Sequence, residues 1–324
     1  MTDYTCRICS NSQNNETFIA KEMMFGLRTS FLYFQCSGCQ CLQIGKIPED
    51  IARYYSPVNY YSFNNKALKR YAGFSGVVRT KAIRMAINGS LLGAGIAGSL
   101  IPLKTISILK SILTGSDARI LDVGCGTGWN FLYPLYKAGF RNVAGCDPFI
   151  EKDINYTEGL TIYKKELSEM EGEWDILTFH HSFEHIDNPH ETIKKAYKLL
   201  APGGYCIIRI PTVSSFAWEH YGVNWFQLDA PRHIFLHSVE SMKFLATEAG
   251  FDLTKIICDS THHQFTISER YKSGRAFTER GYRNIFDRVS SLLQKMRNSR
   301  RAADLNRIGQ GDQAAFFLHK DSTG

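Results

Sequence analysis

Between residues 117 and 262, short apolar runs alternate with longer stretches of mixed polarity. The runs at 119–123, 142–146, 160–163, 174–179, 204–210 and 253–258 have the length of buried strands, and the stretches between them are read as helices. Asn188-Pro189 reads as an N-cap with proline at the first helical position, opening a helix that runs to Leu200. Ser238 is placed to cap another helix, which ends at Gly250. Residues 268–310 read as an insertion carrying a basic helix, roughly 282–301, and Gln313-Ala-Ala-Phe-Phe-Leu318 as a last strand. The pattern predicts an α/β class with a doubly wound, mostly parallel sheet.

The first 45 residues follow a different rhythm. Cys6-x-x-Cys9 and Cys36-x-x-Cys39 stand 26 residues apart, with a strand-like Phe31-Leu-Tyr-Phe34 between them. Each pair sets two thiolates on one tight turn, and two such turns complete a tetrahedral zinc site. Four closed thiolate positions leave no open one, so the zinc is expected to be structural. Cys41 is read as a small buried residue. Residues 46–116 are read as a helical connector or lid between this ribbon (1–45) and the α/β domain (117–324). It holds an aromatic cluster, Tyr54, Tyr55, Tyr60, Tyr61 and Phe63, and then nineteen uncharged residues from Met85 to Leu103. That run nears the length of a membrane span, but four glycines, two serines, an asparagine and a proline lower its hydropathy. A buried or mobile helical segment is expected there, with peripheral membrane contact as the alternative.

Charge changes the picture only locally. The chain carries +7, yet residues 51–116 alone hold nine basic and no acidic residues, and 269–301 hold ten basic against three acidic. A basic pole on an otherwise acidic body suits a phosphorylated or anionic partner, although a solvated surface explains it equally well. The start is polar, without a signal-peptide pattern, and nine cysteines beside two knuckles suggest metal binding rather than disulfides. A cytoplasmic location is expected, with a peripheral position on the inner membrane face if 85–103 touches lipid.

The most specific stretch is Ala118-Arg-Ile-Leu-Asp-Val-Gly-Cys-Gly-Thr-Gly128. A buried strand runs straight into glycines at 124, 126 and 128, a turn against whose bare backbone a cofactor can lie. A dinucleotide turn would read G-x-G-x-x-G. Here the spacing is G-x-G-x-G, and Asp122 just before it would repel a pyrophosphate but suit an ammonium. Asp147 ends the next strand, 25 positions later, where an acid can accept both ribose hydroxyls. With Trp174-Asp-Ile-Leu-Thr-Phe179 and Leu199-Leu-Ala-Pro-Gly-Gly-Tyr205, these pieces resemble, in order, those of the class I S-adenosylmethionine-dependent methyltransferases. The resemblance implies a Rossmann-like fold with a seven-stranded sheet beside the small zinc ribbon. It implies S-adenosylmethionine as cofactor, held by Asp122, Gly124, Cys125, Gly126, Gly128, Asp147, Pro148, Glu166 and His180.

The sulfonium methyl of that cofactor is already activated. The protein must bind it, align a nucleophile and, for a hydroxyl acceptor, supply a base. Ligands of such sheets lie outside the carboxyl ends of the strands. His180-His181-Ser-Phe-Glu184-His185 leaves the fourth strand, which makes His181 and His185 candidate bases with Glu184 orienting an imidazole. Asp229-Ala-Pro-Arg232-His233 follows the fifth strand. Arg232 is there a candidate fork for a phosphate or carboxylate, and His233 a third candidate base. Trp218, Tyr221, Trp225 and Phe226 suggest an apolar or sugar-stacking wall, while His262-His263 lacks a metal partner at suitable spacing.

The whole layout is similar to that of bacterial methyltransferases of surface-polysaccharide biosynthesis. It implies a small-molecule or glycan acceptor, phosphorylated in some cases, and O-methylation of a sugar, nucleotide sugar or lipid-linked glycan. A quinone- or polyketide-type O-methyltransferase is the second reading. Sugar C-methylation is disfavoured because this chain lacks the large C-terminal domain of such enzymes. RNA methylation is disfavoured too, since amino-group methyltransferases acting on bases carry Asp/Asn-Pro-Pro-aromatic where this chain has His-His-Ser-Phe. No nucleic-acid partner is expected, a non-enzymatic scaffold is a minor alternative, and the oligomeric state is left open.

Overall fold

Two sheets share one polypeptide in the computed structural model, which describes residues 4–55, 78, 80–85, 108–109, 111–113, 115–157, 159–279 and 285–322. The small sheet is built from β1 (Glu16–Lys21), β2 (Ser30–Gln35) and β3 (Leu42–Ile44). The large one takes β4 (Ile120–Val123), β5 (Val143–Cys146), β6 (Ile154–Thr157), β7 (Leu160–Tyr163), β8 (Trp174–His180) and β9 (Leu200–Pro211). It then adds β11 (Asp252–Cys258) and β12 (Gln313–His319). The two-residue β10 (Phe235–Leu236) leaves the large domain to pair antiparallel with β3. The described helices are α1 (Leu132–Ala138), α2 (Pro189–Leu199), α3 (Phe216–Tyr221), α4 (Val239–Ala249), α5 (His263–Lys272) and α6 (Ile285–Arg307).

The large sheet runs in the order β11-β12-β9-β8-β4-β5-β7-β6. Its centre, β9-β8-β4-β5-β7, is parallel throughout, and β12 inserts antiparallel between β9 and β11. The order turns back at β4, so β4, β5 and β8 open their carboxyl ends around one crevice. All four residues of β4 are buried, as a strand covered on both faces requires. Alternate residues point to opposite sides. Leu121, Ile208 and Phe316 belong to one apolar core, whereas Ile120, Ile207 and Phe317 belong to the other.

Strand positions follow the hydrophobic pattern closely, with one addition. An eighth strand, β6, pairs antiparallel on the outer edge of β7. It was not expected because an edge strand reading Ile154-Asn-Tyr-Thr157, in which Ile154 and Tyr156 are partly exposed and Asn155 is exposed, shows no apolar run. The Pro202-Gly203-Gly204 turn sits inside β9 and is absorbed by a register shift against β8 between Trp174 and Ile176. The Ser238 cap is present. Its hydroxyl accepts the Ser241 N–H at 2.9 Å, the Ser241 hydroxyl accepts the Ser238 N–H at 2.9 Å, and Gly250 ends α4 with φ at 90°. The basic helix α6 extends past its expected end to Arg307, packing Asn298 and Ala302 inward while Leu292, Leu293 and Met296 stay exposed.

The small sheet is not a separate bead. The core that contains Leu121 and Phe316 also contains Tyr33, Phe34 and Cys36. Beyond β10, the Tyr33 hydroxyl donates to the His233 carbonyl at 2.8 Å and the Ser238 hydroxyl donates to the Cys39 carbonyl at 2.5 Å. The expectations for Tyr60, Tyr61 and Phe63, and for the uncharged run from residue 86 to 103, lie outside the described residues. Among those described, no helix is long and apolar enough to cross a membrane.

His237 lies fully buried beneath this junction, with its ring near Phe183 and Phe235 and its Nδ1 3.2 Å from the Ser241 hydroxyl. Burial pushes its pKa from the ordinary 6.5 down to about 3. The unfolded chain therefore binds a proton that the folded chain refuses. Stability from this site is complete above about pH 6.5 and drains as pH falls toward 3. We expect His237→Phe to flatten the acid limb of urea-unfolding stability by about 1.4 kcal/mol per pH unit between roughly pH 6 and 4. Identical pH slopes for the variant and the natural chain would show that this imidazole is not the group titrating.

Candidate functional site

β4 delivers the chain into Gly124-Cys-Gly-Thr-Gly128, where all three glycines take positive φ, 68°, 57° and 71°. A Cβ on Gly124 would stand 2.4 Å from the Ser182 Cβ, so this position admits no side chain. The Gly126 N–H donates to Asp147 Oδ2 at 2.7 Å and the Phe149 N–H to Oδ1 at 2.9 Å, which fixes the carboxylate at the tip of β5 beside the bare turn. Burial raises the Asp147 pKa, against the pull of these two amides. Asp122 is buried within β4 and accepts the Thr178 hydroxyl at 2.7 Å. Burial, opposed by that hydrogen bond and reinforced by the charge of Asp147, lifts it to about 8. Neither carboxylate forms an ion pair with a described residue. Two buried acids without a counter-charge, flanking a turn with no side chains, fit a cofactor that carries an ammonium, a sulfonium and a ribose.

The other expected cofactor residues border the same crevice. Cys125 lies within the turn, half-buried Pro148 follows Asp147, and exposed Glu166 follows β7, its N–H held by Glu169 Oε2 at 2.9 Å. His180 ends β8 with its ring edge-on to Phe131 at 4.4 Å. Its Nε2 is buried without a hydrogen-bond partner among the described residues, and burial keeps the ring neutral by lowering its pKa far below 6.5.

The three candidate bases come together around Glu184. His181 takes a left-handed backbone, φ 53°, which turns the chain from β8 into the short 3-10 turn Phe183–His185. Arg209 Nη1 lies 2.8 Å from His181 Nε2. A guanidinium only donates, so Nε2 accepts and the ring proton sits on Nδ1, 3.5 Å from Glu184 Oε1. Arg209 is in turn held by Asp259 at 2.7 Å. Glu184 has no exposed surface, and neither of its oxygens accepts a close hydrogen bond from a described residue. Burial would raise its pKa, but the His181 N–H and the three surrounding imidazoles outweigh this and hold it near the bottom of the carboxylate range, at about 2.

His185 and His233 have determined tautomers. His185 Nδ1 lies 2.8 Å from the Arg232 carbonyl and His233 Nδ1 lies 2.7 Å from the Gln227 carbonyl. A carbonyl only accepts, so both Nδ1 atoms carry protons and both Nε2 atoms present lone pairs. The two rings stand 4.8 Å apart, edge to face. His233 Nε2 is 3.9 Å from Glu184 Oε1 and 3.8 Å from Asp229 Oδ2. One ligand-type atom from each of Glu184, His185 and His233 falls within 4.8 Å of the others. Tyr55 ties this cluster to the cofactor side. Its ring stacks on Phe149, two residues after Asp147, at 6.5 Å and meets His185 edge-on at 5.9 Å.

Arg232 does not offer the free fork expected of it. It is buried, its Nε donates to Asp229 Oδ2 at 2.8 Å, and its Nη2 binds the second Asp229 oxygen. Nη1 donates to the Tyr54 carbonyl at 3.0 Å, Glu22 of the small sheet approaches at 3.4 Å, and the Phe25 ring covers the guanidinium at 5.0 Å. The fork is spent on joining the small sheet to the His233 segment. Breaking such a buried pair from one side typically costs about 3–5 kcal/mol. The expected aromatic wall is largely core as well. Trp225 is buried with its indole N–H on Asp312 at 2.9 Å, Trp218 donates to Gln35 at 3.2 Å, and the Tyr221 hydroxyl donates to Glu269 at 3.0 Å. The His262 and His263 rings lie tilted against each other at 4.2 Å and join no metal-type cluster among the described residues.

The four knuckle cysteines do converge. Cys6 and Cys39 sulfurs lie 3.6 Å apart, Cys9 and Cys36 sulfurs 3.5 Å apart, and all four fall within 4.8 Å of one another. The two knuckles repeat one backbone pattern. In each, the residue after the second cysteine, Ser10 or Gln40, takes a left-handed φ and donates its N–H to the first cysteine's carbonyl. The Ile8 and Cys39 amides and the Gln43 side chain point N–H groups at the sulfurs, at 3.4, 3.5 and 3.1 Å, which suits thiolates on a metal. Cys41 lies outside the set, directed at the Leu236 carbonyl.

Residues 103–256 match the family model described as a methyltransferase domain. No curated protein matches the chain. Among solved structures it is similar to a SAM-dependent methyltransferase from Thermotoga maritima, with 19% identity, 74% of this chain and 99% of that one covered, and a TM-score of 0.45. It is also similar to a SAM-dependent methyltransferase from Archaeoglobus fulgidus, at 19% identity, 74% and 97% coverage and a TM-score of 0.43. The cyclopropane synthase MmaA2 from Mycobacterium tuberculosis gives 17% identity, 67% and 83% coverage and a TM-score of 0.42. Likeness at this level says nothing of the acceptor. The methyltransferase-domain match, which contains the glycine turn, Asp122 and Asp147, supports an S-adenosylmethionine-dependent methyltransferase.

Proposed function

We propose that the enzyme methylates a hydroxyl of a sugar, nucleotide sugar or lipid-linked glycan in surface-polysaccharide biosynthesis. The observation that carries O-methylation is the gathering of His185 and His233 around the Glu184 carboxylate, each imidazole donating Nδ1–H to a backbone carbonyl and so keeping Nε2 as its lone pair. An alcohol is a poor nucleophile until its proton is drawn off, and this cluster is built to draw it off. S-adenosylmethionine supplies an activated methyl when bound. Asp147 receives the ribose, Asp122 stands toward the amino-acid end, and the glycines leave room for both. The hydroxyl oxygen attacks in line while the cluster removes its proton. Tyr55 stands between the two sites, its ring on Phe149 on one side and on His185 on the other.

The glycan part of this reading rests on the overall layout of ribbon, connector, core and Pro-Arg-His segment. Because Arg232 is committed to Asp229 and Glu22, an anionic group on the acceptor is held by other basic residues. The cysteine cluster holds a structural zinc that fixes the small sheet, and through β10 the His233 segment.

Two variants separate the parts of the site. With labelled cofactor and a panel of nucleotide sugars, Asp147→Ala is expected to weaken cofactor binding by about 1.5–3 kcal/mol in calorimetry. His233→Ala should leave that affinity nearly intact and lower turnover by roughly 10²–10⁴-fold. Full turnover in His233→Ala, or transfer only to nitrogen acceptors, would reject the reading.

Freshly purified protein should carry one zinc per chain. Cys36→Ser should lose it and loosen the small sheet, while Cys41→Ser should keep it. Metal analysis that finds none without chelator treatment would remove the zinc.

A further inference from the structure

We propose that Glu184, His185 and His233 form a second metal site, distinct from the cysteine cluster, which holds a divalent cation and binds the acceptor through two adjacent oxygen atoms. The inference rests on the O-methylation reading and deepens it by naming how the acceptor is held and activated.

Three observations carry it. Glu184 is a carboxylate with no exposed surface, and neither oxygen is satisfied by a hydrogen bond from a described residue. A buried anion left this way is costly, and a cation at its oxygens is what offsets the cost. Both histidines are also prepared as ligands. Each donates Nδ1–H to a backbone carbonyl, at 2.8 and 2.7 Å, which fixes the ring and leaves Nε2 as the lone pair. That is the outer hydrogen bond that metal-bound histidines characteristically make. Finally, one ligand-type atom from each of the three residues lies within 4.8 Å of the other two, and His233 Nε2 stands 3.9 Å from Glu184 Oε1, a spacing that one ion can gather with side-chain movement.

The donor set also says what the ion does. Two imidazoles and one carboxylate suit manganese, iron, cobalt or zinc as divalent ions, and three ligands leave positions open on one side. An open side next to the cofactor crevice favours an acceptor that offers two neighbouring oxygens, such as a vicinal diol of a sugar ring. With the ion bound, His185 and His233 serve as its ligands rather than as the base, and the metal-bound hydroxyl loses its proton to solvent, since metal binding lowers its pKa. The resulting alkoxide oxygen forms a bond to the sulfonium methyl carbon as the carbon–sulfur bond breaks, and the electron pair of that bond stays on sulfur. The products are the methyl ether and S-adenosylhomocysteine. His181 is a positioning residue here, because its Nε2 is taken by Arg209 and its Nδ1–H faces Glu184.

The test is Mn²⁺ binding to the full chain with its cysteine site loaded with zinc, followed by electron paramagnetic resonance of the free ion. The expected result is one bound Mn²⁺ per chain and a higher melting temperature with the ion present. Glu184→Gln and His233→Ala should each weaken binding by more than about tenfold and lose the melting shift. A variant that fails to fold is replaced by His185→Gln, judged by the same two readouts. Chelation should abolish methyl transfer and Mn²⁺ restore it, with diol acceptors far better than their mono-deoxy analogues. Absence of Mn²⁺ and Co²⁺ binding outside the cysteines, together with chelator-resistant transfer to a hydroxyl, would overturn the metal and leave the O-methylation reading standing. Mn²⁺ binding that is lost in Glu184→Gln, with methyl transfer only to nitrogen, would do the reverse.

Discussion

A carboxylate sealed from water and met by no close hydrogen bond from a described residue is costly for a fold to keep. Glu184 is such a group, and much of the architecture around the crevice is explained by what surrounds it. His181 is aimed at it by Arg209, which Asp259 holds in place. His185 and His233 are oriented by backbone carbonyls from the segment 227–232. That segment is pinned by Arg232, which is gripped by Asp229 and by Glu22 of the small sheet. The cluster depends on tertiary ties that reach both sheets, so its geometry cannot be set by the doubly wound domain alone.

This gives the N-terminal ribbon a mechanical part in the chemistry. β3 pairs with β10 just after His233, and the Tyr33 hydroxyl holds the His233 carbonyl itself. The cysteine cluster borders that same strand, since the Gln43 side chain of β3 donates to the Cys6 sulfur at 3.1 Å. The cofactor half is built differently. There the glycine turn, Asp147 and Asp122 all belong to β4, β5 and their connections, so that half is assembled within the large sheet without help from the small one.

The parts legible in the sequence were those in which local physics dictates composition. Buried parallel strands need continuous apolar runs, and a turn that leaves 2.4 Å to Ser182 needs glycine, so β4, β5, β8 and the cofactor turn stood out. The convergence of the His181–His185 and Arg232–His233 segments followed from topology, because adjacent strands end at one edge. Arg232 was misread because its grip on Asp229 and Glu22 spans 3 and 210 positions, and only the first is visible as spacing. Tyr55, a connector residue, gave no signal that it would lie between Phe149 and His185. β6 and β10 were silent for opposite reasons. One is an exposed edge, and the other is two residues long and defined only by its partner β3.

The measurement that bears most directly on the account is a crystal structure of the full chain with S-adenosylhomocysteine bound. It should show the ribose hydroxyls on Asp147 and the sulfur facing the open side of His185 and His233, with room between for one acceptor oxygen and the methyl. A sulfur atom more than about 10 Å from both Nε2 atoms, too far for the acceptor and a single water to span, would contradict it.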